Sequence, residues 1–277
     1  RFTERYSFRG MKGYVMTALE LAKRLGVPDG AVTALESSGL LEKTPTEHFD
    51  PEKGRGLPQL ARALQLALGT KEKYTALGIP EEVFYDSFQD IAIWTRTYYE
   101  RTGNQGLGEW SWIQMSLDLK VFRLGRLQFE PNSLEKEIRV GGQVYPKGDP
   151  VLHVHIPAEA PLDQRSVENS LGRAIPFFRQ YFGKTYDLLH CHSWLLSPVL
   201  KELLPENSRI LQFLSLFRVY ATEDERQAEE RVFGVICDDL TAYPEDTSLQ
   251  RLMKAYLRAG NKVGVGLGVM QITDIQS

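Results

Sequence analysis

Apolar residues recur at helical spacing along the first part of the chain, from Thr17 to about Leu119. The stretch "TALELAKRLGV" brings Leu19, Ala22 and Leu25 to one side and stops at Pro28. "AVTALESSGLL" restarts after "PDG" and ends near Gly39. "LPQLARALQLALG" has Pro58 near its start and Gly69 at its end, the usual asymmetry of a helix. "PEEVFYDSFQDIAIWTRTYYERTG" predicts a long aromatic helix with Phe84, Phe88, Ile91 and Thr95 on one stripe.

From Phe122 the period shortens to two. "FRLGRLQFEP" and "VLHVHIP" alternate as strands do, and "EIRVGGQVYPKGD" reads as a strand, a Gly-Gly turn and a return. "QRSVENSLGRAIPFFRQYFG" predicts a helix from Ser166, with Leu171, Ile175, Phe178 and Phe182 on one side and a kink at Pro176. "YDLLHCHSWLL" predicts a strand, "SPVLKELLP" a short helix, and "RILQFLSLFRVYAT" one long strand. "SLQRLMKAYLRAG" is a helix pattern and "KVGVGLGVMQI" a last strand. The expected architecture is α/β (α+β): a helical N-terminal domain over residues 1–108, then a mixed sheet flanked by helices over residues 109–277.

Side chains two apart on a strand share a face. By that rule Arg126, Gln128 and Glu130 share one face, His153 and His155 another, and His190, His192 and Trp194 a third. The opposite faces carry Leu127 and Phe129, then Leu152, Val154 and Ile156, then Leu189, Cys191 and Ser193. Four of the five histidines thus sit in two His-x-His pairs on otherwise apolar strands. If the strands neighbour one another, their polar faces merge into one cleft of Arg, Gln, Glu and His. Two such pairs can also supply zinc ligands. No carboxylate follows the first pair before Glu159, however, and no metal is expected. In the last strand Gly264, Gly266 and Gly268 share a face. Glycine weakens a strand, so that face is expected either to admit a closely packed element or to leave room for a bound chain.

The 277 residues are 42% hydrophobic and 25% charged with a formal net charge of −3, which predicts neither a nucleic-acid nor an anionic-membrane surface. No apolar run reaches the ~18–20 residues of a membrane helix, and the charged start "RFTERYSFRG" lacks the apolar core of a signal peptide. A cytoplasmic location is expected, with Cys191 and Cys237 as free thiols. "LAKRLGVPDGAVTALESSGLLEKTP" has the outline of a helix-turn-helix. Between Asp29 and Leu41 it offers no Lys or Arg to meet phosphates or base edges, so packed helices are the better reading.

The strings "FRLGRLQFEP", "VHIPAEAPLD", "SLGRAIPFF" and "CHSWLLSPVLKELLP" resemble a bacterial family of N-acyltransferases, in which a helical N-terminal domain precedes a GNAT-like C-terminal domain. The resemblance spans the chain and is most specific from Phe122 to Pro205. It implies that "VLHVHIP" and "YDLLHCHSW" are two strands that splay apart around an acyl-CoA thioester (acetyl-CoA or a longer acyl-CoA), with a small-molecule amine as acceptor. Amine acylation needs a base and donors for the thioester oxyanion, and a histidine, with its ordinary pKa of about 6.5, suits the first task. His192 is the expected base, with His155, Glu130 and Arg126 beside it. His153, His190, Gln128, Cys191, Ser193 and Trp194 are expected to contact substrate. Ile156, Gln164, Arg165 and Ser166 are expected to meet the CoA, with Ser166 capping the helix. The family's glycine-rich pyrophosphate loop has no counterpart here, because "PAEAPLDQRSVENSLG" holds no glycine before Gly172. A non-catalytic acyl-CoA-binding protein is therefore the alternative.

Overall fold

The computed structural model of the chain describes residues 16–42, 49–158 and 160–272. The charged first segment and Glu159 lie outside the described residues. Five helices come first: α1 (Ala18–Leu25), α2 (Asp29–Ser38), α3 (Leu57–Leu77), α4 (Glu81–Thr102) and α5 (Trp110–Leu117). Helix α1 starts where it does because Thr17 and Glu20 cap each other's backbone, and it ends at Gly26, whose φ of 75° terminates the turn. The stripe Phe84, Phe88 and Ile91 of α4 is buried in the main core. Helix α3 runs past Gly69 to the cap at Gly78, because Thr70 and Tyr74 prolong its buried stripe. The helix-turn-helix outline of α1 and α2 is packed against α3 and α4.

The second region holds β1 (Phe122–Leu124), β2 (Leu127–Ser133), β3 (Ile138–Val140), β4 (Gln143–Tyr145), β5 (Pro150–His155), α6 (Gln164–Phe182) and β6 (Leu188–Ser193). It continues through α7 (Leu200–Leu203), α8 (Arg209–Ser215), β7 (Arg218–Glu223), α9 (Gln227–Phe233), α10 (Ser248–Arg258) and β8 (Val265–Gln271). Six strands form one sheet in the order β1-β2-β5-β6-β8-β7, and β3 and β4 form a separate hairpin. Within the large sheet only β5 and β6 run parallel.

Two expected strands are built differently. "FRLGRLQFEP" is the hairpin of β1 and β2, because Gly125 takes a φ of 84° and turns the chain after Leu124. "RILQFLSLFRVYAT" divides into α8 and β7. Ser208 accepts a hydrogen bond from the Ile210 N–H and starts the helix, and an apolar run of that kind has no period of its own to distinguish helix from strand. Helix α6 continues through Pro176.

The two faces of the sheet have different neighbours. Helix α6 covers the face of Leu127, Phe129, Leu152, Val154, Leu189 and Cys191, burying Leu171, Ala174 and Phe178 in the same core. The glycines of β8 also serve that side. A Cβ on Gly266 would lie 2.2 Å from the Leu196 carbonyl oxygen, and one on Gly268 would lie 2.9 Å from Leu196 Cδ1 and 3.0 Å from Phe217 Cβ. The turn Trp194–Leu196 therefore lies directly on the bare backbone, so of the two expected alternatives the closely packed element holds and there is no room for a bound chain there. Across the other face lie α4 and α5 at one side and the hairpin β3–β4 at another. The hairpin joins Leu134, Ile138, Val151, Leu188 and Val269 in a small core of its own.

Candidate active site

Register decides which polar residues meet. Gln128 pairs with His155 and Glu130 with His153 across β2 and β5, and His153 pairs with His190 across β5 and β6. Gln128, Glu130, His153, His155, His190 and His192 consequently share one face of the sheet. Strands β5 and β6 pair at Leu152–Leu189 and His153–His190 and no further. His155 and His192 are the next residues on the same face, so the sheet parts between them.

On the β5 side, His155 Nε2 lies 2.8 Å from Glu130 Oε2, and the Trp112 ring stands edge-on to the imidazole with centroids 4.9 Å apart. Burial pushes the Glu130 carboxyl up, but the hydrogen bond and charge of His155, with His153 and Asn132, outweigh it and hold the group below its ordinary range. The His153 and His190 rings lie with centroids 4.7 Å apart and planes tilted by 37°, and the His153 pKa is lowered, first by burial. His190 is only 7% exposed; its Nε2 shares a 2.9 Å hydrogen bond with Tyr220, and its Nδ1 is buried without a partner. Burial, reinforced by His153 and His192, lowers the His190 pKa to about 3, so the ring is neutral at physiological pH.

On the β6 side, His192 Nε2 lies 3.4 Å from Glu223 and 3.6 Å from Glu225. A β-bulge brings these groups here. Val219 pairs with Gly268 and Ala221 with Leu267, leaving Tyr220 as the extra residue. That insertion resets the alternation, so Tyr220 and Glu223 both reach the histidine face. Strict alternation would have divided them. Among the described residues, His192, Glu223 and Glu225 also form a group whose ligand atoms lie within 4.8 Å of one another, in place of the His-x-His pairs that spacing offered as metal ligands.

The remaining expected site residues divide. Arg126 stands in the β1–β2 turn, off the alternation, where its guanidinium donates to the Pro161 and Ala160 carbonyls at 3.0 and 2.7 Å. It braces the loop between β5 and α6 and stands just outside strand β2. Cys191 is 1% exposed on the α6 face, and burial raises its thiol pKa. Ser193 lies on that same face and accepts from the Leu195 N–H. Neither shares the histidine cleft, because both alternate away from His190 and His192. Trp194 begins the turn that leaves the strand. Ile156 follows β5 half-buried. The cap of α6 is Asp163, not Ser166: Asp163 Oδ1 accepts from the Arg165 and Ser166 N–H groups at 3.0 and 3.4 Å. Gln164, Arg165 and Ser166 are exposed around it.

Residues 121–270 match the family model of the GNAT-like C-terminal domain, and residues 27–119 that of the N-acyltransferase N-terminal domain. The chain belongs to this GNAT-like N-acyltransferase family. A search of curated proteins gives no match. Three crystal structures share the fold of this N-acyltransferase. One is of an acyltransferase in complex with decanoyl-CoA and teicoplanin: 22% identical, TM-score 0.76, covering 95% of this chain and 91% of that chain. One is of an acyltransferase with CoA and 10C-teicoplanin, with the same identity, score and coverage. The third, with decanoyl-CoA, is 23% identical at a TM-score of 0.75, covering 93% and 89% of the two chains.

Several groups at the site of this N-acyltransferase escaped sequence reasoning. Asp90 and Trp112 come from the helical region and reach the β2–β5 part of the sheet. A carboxylate one position from the buried Ile91 stripe of an aromatic helix was the available signal for Asp90. Arg209 lies beside the first turn of α6, lining with Gln164, Gln212 and Phe213 a cleft of about 100 Å³ between α6 and α8. The apolar run that carries it predicts a strand, which leaves Arg209 without a helix to place it beside α6. Among the described residues no helix is long and apolar enough to cross a membrane.

Proposed function

We propose that this N-acyltransferase moves an acyl group from acyl-CoA to an amine acceptor across the gap between β5 and β6. The single observation behind this reading is the parting of the two strands immediately beyond the His153–His190 pair. Beyond that pair the two strands are no longer register partners, and the facing backbone N–H groups are assigned to the thioester carbonyl in this reading. Crystallised acyltransferases of the same fold hold decanoyl-CoA and CoA. The amine nitrogen attacks the thioester carbon, the C–S bond breaks, an amide forms and CoA leaves as its thiol. His155, oriented by Glu130 at 2.8 Å, takes one proton from the bound ammonium so that the neutral amine attacks, and the second proton passes from the tetrahedral adduct to the departing CoA sulfur. His192, with Glu223 and Glu225, receives the acceptor as its ammonium form. The CoA phosphates go to the cleft between α6 and α8, with Gln164, Arg165 and Arg209 as donors.

One observation favours a binding-only alternative: the Asp163 carboxylate already occupies the N–H groups that would hold a pyrophosphate. The two readings separate in one assay, with acyl-CoAs of graded length, a panel of amines, and thiol release followed by a dye. Amine-dependent release of CoA supports transfer. Tight CoA binding with no release under any acceptor would leave the binding role alone.

A further inference from the structure

Asp90 is 3% exposed and sits on α4, outside the GNAT-like region. Its Oδ2 accepts two hydrogen bonds, from Gln128 Nε2 at 2.7 Å and from Trp112 Nε1 at 2.5 Å. Both donors are neutral. A carboxylate taken out of water for two neutral donors is an expensive feature, and burial accordingly raises its pKa, against those two bonds and the charges of Arg123 and His155. Each donor is also a neighbour of one imidazole. Gln128 is the cross-strand partner of His155, and Trp112 stands against the His155 ring. Both bonds of the buried carboxylate thus end on the groups that confine His155.

We infer that Asp90 is a positioning residue for His155, holding Gln128 and Trp112 so that the imidazole keeps its Nε2 on Glu130. The helical domain is then part of the catalytic apparatus. The inference rests on the reading of His155 as the base. Among the described residues, Glu130 on β2, His153 on its own strand, His190 on β6 and Asp90 on α4 interact electrostatically with His155, with His192 across the gap and Arg123 of β1 acting on Asp90.

The alternative is a tie that merely fastens α4 and α5 to the sheet. The test compares the parent with Asp90→Asn and Gln128→Met, two substitutions of nearly unchanged shape. Trp112 supplies a readout free of activity, because a protonated imidazole quenches a neighbouring indole. The part of the pH-dependent tryptophan emission that His155→Asn removes reports the titration of His155. In Asp90→Asn this midpoint moves to lower pH, since the carboxylate that favours the imidazolium is gone. The acid limb of kcat/KM follows it, kcat falls about 10-fold, within what a small misplacement of a catalytic group can cost, and KM for acyl-CoA is unchanged. If Asp90→Asn fails to fold, Gln128→Met carries the same test, with a lowered kcat and a displaced emission midpoint expected. A lower melting temperature with the midpoint and kcat of the parent would reduce Asp90 to a tie and overturn the inference. Absence of acyl transfer in the parent would instead remove the proposed function, while the emission titration would still decide whether Asp90 governs His155.

Discussion

The two sides of the parted sheet carry the same sequence motif, a His-x-His pair on an apolar strand, and surround it with different partners. On β5, the His155 side chain is 30% exposed, bonded to Glu130 at 2.8 Å and flanked by Trp112. On β6, the His192 side chain is 37% exposed, and its two carboxylates stand at 3.4 and 3.6 Å and are more exposed still. The neighbours explain the difference. Strand β2 presents Gln128 and Glu130 directly across from His155 and His153 and is itself backed by α4 and α5. Strand β8 presents Leu267 across from His192, so polar partners must come from β7, one strand further away. A preorganised group suits the reacting atoms, where small displacements are costly. A looser, solvated, acidic group suits capture of a cationic substrate.

That contrast is broken most directly by removing each histidine. His155→Ala is expected to lower kcat by roughly 10²–10⁴-fold, the usual loss with a general base. Steady-state rates with acyl-CoA in excess measure it. Should His192→Ala cost more than His155→Ala, the base sits on the open side and the assignment is reversed.

The next largest effect concerns the buried histidines between the two sides. His190 is lowered from 6.5 to about 3 in the folded protein. Below pH 6.5 the unfolded chain takes up a proton that the folded chain does not bind until about pH 3. Stability present above pH 6.5 is therefore lost as pH falls through this window, by up to about 1.4 kcal/mol per pH unit for one group. Urea unfolding at stepped pH should show that slope, and His190→Gln should flatten it. An equal slope in parent and variant would place the acid sensitivity elsewhere.

His192→Ala is expected to raise the acceptor KM roughly 10-fold with a smaller change in kcat, about what one hydrogen bond to a charged group is worth. The smallest effect belongs to Glu223→Gln and Glu225→Gln. Each should raise acceptor KM about threefold, since exposed ion pairs contribute ~0.2–1 kcal/mol. The difference from the parent should vanish near 1 M salt, where charges are screened beyond about 3 Å. Persistence of the difference at high salt would mean that these carboxylates act through packing and not through charge.

Much of this organisation was legible along the chain. The switch from helical to alternating period near Phe122 marks the passage from helices to sheet. The shared parity of Gln128 and Glu130, of His153 and His155, and of His190 and His192 is retained in the folded sheet. Arg126 has the same parity in the sequence yet stands in the β1–β2 turn, because one glycine in an alternating run can either lie in a strand or turn it, and alternation alone does not say which. Glu223 and Tyr220 were beyond reach for a related reason: a bulge is an extra residue relative to a partner strand, and the partner, β8, lies forty residues or so further along. Ser166 and Asp163 are both good caps by residue type, and Asp163, three positions earlier, is the one that reaches the first-turn N–H groups.

What the sequence determined by itself was local: where the helical period gives way to alternation, which residues of a regular strand share a face, and that two strands carry histidines on one side only. These follow from backbone geometry within a few residues. What only the tertiary structure decided was which strand lies beside which, where the pairing of β5 and β6 stops, and that a carboxylate on α4 closes on the cross-strand partner of His155. Those outcomes depend on the packing of α6 under the sheet and of α4 and α5 over it, contacts between residues far apart in the chain, which no local period encodes.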